Sequence, residues 1–105
     1  MLNRPSDVAV DQSNRVFIAD TYNSTVQIFS STGSFIGLLN GNFSFPRGVD
    51  IGPDGRIYVA DTNNGIVKIF NQNLSLNSQI GENITAVDVV VSLSGIVYID
   101  DSINS

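Results

Sequence analysis

The stretch Pro46-Arg47-Gly48-Val49-Asp50-Ile51-Gly52-Pro53-Asp54-Gly55-Arg56-Ile57-Tyr58-Val59-Ala60-Asp61-Thr62-Asn63-Asn64-Gly65-Ile66-Val67-Lys68-Ile69-Phe70 decides the fold, because the chain contains it twice. A shift of 41 residues lays Pro5, Val8, Arg15, Ala19, Asp20, Thr21, Asn23, Val26, Ile28 and Phe29 on identical residues at Pro46, Val49, Arg56, Ala60, Asp61, Thr62, Asn64, Val67, Ile69 and Phe70. Val16, Phe17 and Ile18 fall on Ile57, Tyr58 and Val59, so the apolar pattern survives where identity does not. A further shift of 40 brings Val89, Gly95, Tyr98, Asp101 and Asn104 onto Val49, Gly55, Tyr58, Asp61 and Asn64. Self-similarity at this period marks a stack of like units, each burying its apolar face on the next.

Within a unit the apolar residues form short β-branched and aromatic runs cut by turn residues, which predicts strands. The first unit reads as strands over Asp7–Val10, Val16–Ala19, Thr25–Phe29 and Ser34–Leu39, the second over Gly48–Ile51, Arg56–Ala60, Ile66–Phe70 and Leu74–Ile80. Connections this short require antiparallel neighbours. Ile57-Tyr58-Val59-Ala60 is apolar on both faces, so both sides of its sheet must be covered. The fourth strand, with Asn77, Ser78 and Gln79, is the wetter edge. Four-stranded sheets of this kind every ~40 residues fit the blades of a β-propeller. The expected class is therefore all-β: a partial β-propeller of four-stranded antiparallel blades spanning 1–105, with blade one over 5–40, blade two over 41–81 and half of a third over 82–105.

These elements resemble the NHL repeat, whose unit carries a proline, an apolar strand, a Gly turn, a strand ending in Ala-Asp, an Asn-containing turn and a Val/Ile-Phe strand. Here they read Pro46-Arg47-Gly48-Val49-Asp50, Pro53-Asp54-Gly55, Ile57-Tyr58-Val59-Ala60-Asp61-Thr62-Asn63-Asn64 and Val67-Lys68-Ile69-Phe70. The family's turn commonly runs from Asn into His and a basic residue, whereas this chain has Asn23-Ser24-Thr25 and Asn64-Gly65-Ile66. In the third copy Ala86 stands at the proline position and Asp100 at the buried Ala. The resemblance implies a ring of about six blades, so two and a half are expected to belong to a longer parent chain or to associate with further copies, because open sheet edges need cover.

Composition narrows the chemistry. The 105 residues include no His, Cys or Trp, which removes imidazole and thiolate nucleophiles, disulfides and zinc-finger spacings built from this chain. Ten acidic against five basic residues leave a net charge of −5, unsuited to neutralising a run of phosphates, so nucleic acid is not an expected partner. The apolar runs are far short of the ~20 residues that span a bilayer, so no membrane insertion is expected. Asp61, Asn63 and Gly65 imitate the start of a calcium loop, but Ile66 and Gln72 occupy the positions that need Gly and a bidentate Glu. The glycines between Gly48 and Gly55 precede neither a Lys nor a helix, so they make no phosphate cradle. No cofactor or metal is expected.

Asp20 and Asp61 open tight turns, where a carboxylate can accept from backbone N–H groups two and three residues on. Asn23 and Asn64 are expected at left-handed turn positions, and Gly55 and Gly95 in strand-connecting turns. Phe43 and Phe45 are expected to plug the space between adjacent blades. Asn-x-Ser/Thr triplets at Asn23, Asn42, Asn73 and Asn83 exceed the about two that 12 Asn and 18 Ser plus Thr predict. Asn42, Asn73 and Asn83 are the candidate glycosylation sites, against the plainer reading of an Asn/Ser-rich surface.

By the resemblance, the loop face of the propeller engages a protein or peptide, or a glycan, through Tyr22, Asn23, Asn42, Arg47, Asn63 and Asn64, with Asn104 nearby. This makes the chain a non-catalytic interaction module. The alternative is part of a propeller enzyme, an amidating lyase or lactonase-like hydrolase. Its catalytic residues would lie in other blades, with Asp50 or Asp88 near the inner strands contributing to a channel site.

Overall fold

The computed structural model describes residues 2, 4–81 and 86–101. Among the described residues ten strands form three sheets, every pairing antiparallel. The first contains β1 (Pro5–Val10), β2 (Val16–Asp20), β3 (Thr25–Phe29) and β4 (Phe35–Leu38), in that order. The second repeats it with β5 (Pro46–Ile51), β6 (Ile57–Asp61), β7 (Ile66–Phe70) and β8 (Leu76–Ile80). The third contains β9 (Ala86–Val91) and β10 (Val97–Asp101). The fourth strands start later than their apolar residues predict. Leu74 holds φ 73° in a turn closed by Leu74 N–H to Asn71 O, so β8 begins at Leu76.

Side-chain alternation makes the second sheet the middle of a three-layer stack. Ile57, Val59, Val49 and Phe70 pack with Phe17, Ala19, Val26 and Ile28 of the first sheet, and Leu39 and Phe43 of the connecting segment close that core. Tyr58, Ala60, Val67 and Ile69 face the other way and meet Val89, Val91, Val97 and Ile99 of the third sheet. β6 is therefore buried along its whole length, as its two apolar faces require. Each fully buried aliphatic or aromatic side chain contributes about 1.5–3 kcal/mol. The first strands β1, β5 and β9 lie side by side, and the fourth strands lie at the outside, where Phe35 and Leu76 are exposed.

The outer face of the first sheet carries the same residues that the second sheet buries. Val8, Val16, Ile18 and Phe29 are the 41-residue equivalents of Val49, Ile57, Val59 and Phe70, yet Val8 is 58% exposed and Val49 2%. At the far side of the stack Val90 and Tyr98 are exposed in the same manner.

Left-handed backbone repeats along with the sequence. Arg4 and Phe45 (φ 55° and 56°), Asn14, Gly55 and Gly95 (63°, 85° and 86°), Ser24 and Gly65 (54° and 72°), and Gly33 and Leu74 (89° and 73°) occupy equivalent positions. This corrects one expectation: the left-handed residue of each β2–β3 and β6–β7 turn is Ser24 or Gly65. Asn23 and Asn64 instead close one-turn 3-10 helices over Thr21–Asn23 and Thr62–Asn64.

Candidate functional site

The end of the stack bearing the two 3-10 turns and the 39–45 connection gathers the candidate residues. Asp61, fully buried, organises the second blade's turn. Its Oδ1 accepts from Ser44 N at 2.8 Å, and its Oδ2 accepts from Asn64 Nδ2 at 2.8 Å and faces Lys68 Nζ at 3.1 Å. Lys68 also donates to Gly41 O, so one ammonium ties the turn to the incoming segment. In the first blade Asp20 accepts from Asn23 Nδ2 and Gln27 Nε2, both at 2.8 Å, and Gln27 takes the place of Lys68. Neither aspartate caps its own turn's N–H groups, contrary to the pattern expected for a turn-opening carboxylate. The carboxylates point along the sheet because β3 and β7 offer an amide or ammonium there.

Asn63 and Asn64 are exposed beside Asn42: Asn63 N donates to Ser44 O at 3.0 Å, and Asn64 Nδ2 to Asn42 O at 3.1 Å. Phe43 is buried in the inter-sheet core, 5.7 Å from Phe70 between ring centroids. Phe45 departs from the expectation of a plug between blades. With φ 56° it turns to the loop end and meets Tyr22, centroids 5.0 Å apart. Tyr22 is 48% exposed, and the Arg4 guanidinium lies over its ring at 4.9 Å. Arg47 lies 5.9 Å from the Phe45 ring. Thr21 Oγ1 donates to Pro46 O at 2.8 Å, and Ser6 Oγ donates to Arg47 O at 2.7 Å, fastening the first blade's turn to the start of β5.

Sequence reasoning brought forward Tyr22 and Arg47 but passed over Arg4 and the role of Phe45. The available signal was the repeat, since Arg4 is the 41-residue equivalent of Phe45 and each immediately precedes a proline. Asn23 is exposed at the end of the first 3-10 turn, with its side chain on Asp20. Of the sequon residues, Asn42 (φ 49°) and Asn73 are exposed, Asn73 Oδ1 accepting from Ser75 Oγ at 2.6 Å; Asn83 lies outside the described residues, as does Asn104. Gly55 and Gly95 both occupy left-handed turn positions between first and second strands.

The inner strands carry a second polar grouping. Asp7 Oδ2 accepts from Val49 N at 3.1 Å, and Asp50 Oδ2 from Val91 N at 2.7 Å, so each first strand holds the next by a carboxylate. Asp88 lies against Gly48, whose missing side chain leaves room for it, and the charge of Asp7 is near enough to act on it. Burial pushes the Asp88 carboxyl above the usual carboxylate range. The Val89 N–H opposes that rise, while the Asp7 and Asp100 charges add to it. Among the described residues no three acidic side chains converge as metal ligands, and no helix is long and apolar enough to cross a membrane. A depression of about 680 Å³ lies on the first sheet's outer face among Leu2, Phe29, Phe35 and Leu38. Its Phe29 is the equivalent of a residue that the second sheet buries against the first, so the repeat accounts for its apolar lining.

A family model for the NHL repeat matches residues 2–29 and 43–70. No curated protein matches the sequence. Among solved structures, the chain is similar to hydrazine synthase from Kuenenia stuttgartiensis, with TM-score 0.81, 17% identity, and coverage of 97% of this chain and 31% of that one. The WD40 β-propeller domain of Doa1 superposes with TM-score 0.73 and 19% identity over 86% of this chain and 31% of its own. Virginiamycin B lyase from Staphylococcus aureus does so with TM-score 0.74 and 10% identity, over 92% and 34%. The chain thus spans about a third of the length of these structures. At these identities the likeness carries the fold, that of part of a propeller.

Proposed function

The chain belongs to the NHL-repeat family, and on that premise we propose that it is a non-catalytic interaction module whose loop face binds a protein or peptide. One observation carries this reading: Tyr22, an exposed aromatic, is set on Phe45 between two arginines at the end of the stack. A large side chain held in place and still open to solvent gives contact area at small entropic cost, the character of an interface anchor. Asn42, Asn63 and Asn64, exposed beside the incoming segment that carries Phe45, add polar groups able to hydrogen-bond a peptide backbone or a glycan. The apolar outer faces of the first and third sheets belong to the same reading as seats for further NHL sheets, from a parent chain or a second copy.

The enzyme reading draws on neighbours that are enzymes by name, the synthase and the lyase, and on Asp50 and Asp88 at the inner strands. Those carboxylates are already engaged, Asp50 by Val91 N and Asp88 by Val89 N, which favours an architectural role. Selection of a random twelve-residue peptide library on the immobilised chain tests the proposal. Binders that fail on Tyr22→Ala support it; binders indifferent to Tyr22 and Asn63, or turnover in a hydrolase and lyase screen, refute it.

A further inference from the structure

We propose that Arg4, Tyr22, Phe45 and Arg47 form a docking site for an acidic peptide, whose carboxylates engage the two guanidinium groups while an apolar side chain lies on the aromatic pair. The proposal rests on the loop-face reading and specifies its ligand. The four side chains form a continuous string, with Arg4 over Tyr22 at 4.9 Å, Tyr22 to Phe45 at 5.0 Å and Phe45 to Arg47 at 5.9 Å.

Charge accounting singles out the two ends. Of the five basic residues, Arg15 pairs with Asp11 at 2.7 Å, Arg56 with Asp54 at 3.4 Å and Lys68 with Asp61 at 3.1 Å. Arg4 and Arg47 pair with no carboxylate among the described residues, in a chain whose net charge is −5 and which therefore has carboxylates to spare. A guanidinium stacked on a ring keeps its N–H edge free, the geometry that takes a carboxylate in two parallel hydrogen bonds.

The string is also held in advance of any ligand. Arg4 and Phe45 share a left-handed backbone, which is unusual for large side chains. Ser6 Oγ and Thr21 Oγ1 pin Arg47 O and Pro46 O, and Phe45 N donates to Ser24 Oγ at 3.3 Å. A preformed site loses less entropy on binding. Two guanidinium groups on an acidic protein suit a few carboxylates and not a polyphosphate backbone, whose affinity depends on neutralising many phosphates.

The test takes the twelve-residue peptides selected on the intact chain and measures each by fluorescence anisotropy, alongside its version with every Asp and Glu changed to Asn and Gln. Selected sequences should pair acidic with aromatic or aliphatic residues. Arg4→Gln/Arg47→Gln should weaken them at least about tenfold, as should neutralising the peptide, since each charge-assisted hydrogen bond is worth more than a neutral one. The neutralised peptides carry the test should the double variant fail to fold. Peptides without acidic enrichment that still require Tyr22 would overturn this proposal and leave the loop-face reading intact. Binders indifferent to Tyr22, Arg4 and Arg47 would overturn this proposal, and those indifferent to Asn63 as well would overturn both. A labelled single-stranded RNA that binds more tightly than the peptides and is lost in the double variant would also overturn it.

Discussion

Gly48→Ala reports directly on how the second and third sheets meet. A Cβ built on Gly48 would lie 2.8 Å from Asp88 Cα, 2.7 Å from Asp88 Oδ1 and 3.2 Å from Val89 N. Two of these three atoms belong to backbone, so β9 itself must withdraw, by roughly half an ångström, to restore ordinary contact. Overpacking of this kind costs about 1–3 kcal/mol. The same withdrawal stretches the 2.7 Å bond from Val91 N to Asp50 Oδ2, a charge-assisted hydrogen bond worth about 1.5 kcal/mol or more. The expected loss is about 2–4 kcal/mol in urea denaturation, accompanied by faster hydrogen exchange at Val91. Gly37→Ala is the control, because a Cβ there meets nothing within 4 Å and the backbone is not left-handed. It should be neutral or stabilising by up to about 1 kcal/mol. A Gly48→Ala protein within about 0.5 kcal/mol of Gly37→Ala would refute the close approach of β5 and β9.

Other expectations follow from the same contacts. Lys68→Met leaves buried Asp61 without its cation and should cost about 3–5 kcal/mol, whereas Lys68→Gln copies the Gln27–Asp20 pair of the first blade and should cost about 1 kcal/mol by thermal or urea denaturation. Because burial and Asp7 raise the Asp88 carboxyl above 3.8, the folded state holds that proton longer than the unfolded state. Stability from this group is full at low pH and lost as pH rises through the raised value; Asp88→Asn should flatten that decline and raise the denaturation midpoint at neutral pH. Gly95→Ala meets open space and should cost only its left-handed strain, about 1 kcal/mol, while Gly55→Ala must also displace the Gln72 side chain, 2.5 Å from the new Cβ, and should cost more. Equal losses at the two glycines would contradict the Gln72 contact.

Much of the fold was legible because repetition converts local pattern into three-dimensional order. Ile57-Tyr58-Val59-Ala60 announced a strand covered on both faces, and its alternate residues do enter two separate cores. The turn segments were legible from their Gly, Asn and Asp content, but not the residue that turns left-handed. Asn was favoured by its own tolerance, while the hydrogen-bonded 3-10 turn put that conformation one residue later, on Ser24 and Gly65. Asp20 and Asp61 read as turn residues and each does hold the Asn of its own turn, but further partners come from the facing strand and from residue 44, contacts set by packing.

The candidate site divides in the same way. Tyr22 could be placed at the loop end from its turn, and Asn63 and Asn64 beside the incoming segment. That Arg4 and Phe45, equivalent residues 41 apart, should close on Tyr22 together depends on one blade's turn fitting against the connection to the next. The amino-acid sequence by itself determined the repeating unit, the strands and the buried faces, because periodicity and side-chain size are local properties that each copy states again. Only the tertiary structure decided that Asp7 and Asp88 meet at Gly48 and that two arginines flank an aromatic pair. Those contacts join side chains from different sheets or from loops far apart along the chain, and no spacing within a single repeat specifies how neighbouring sheets come into apposition.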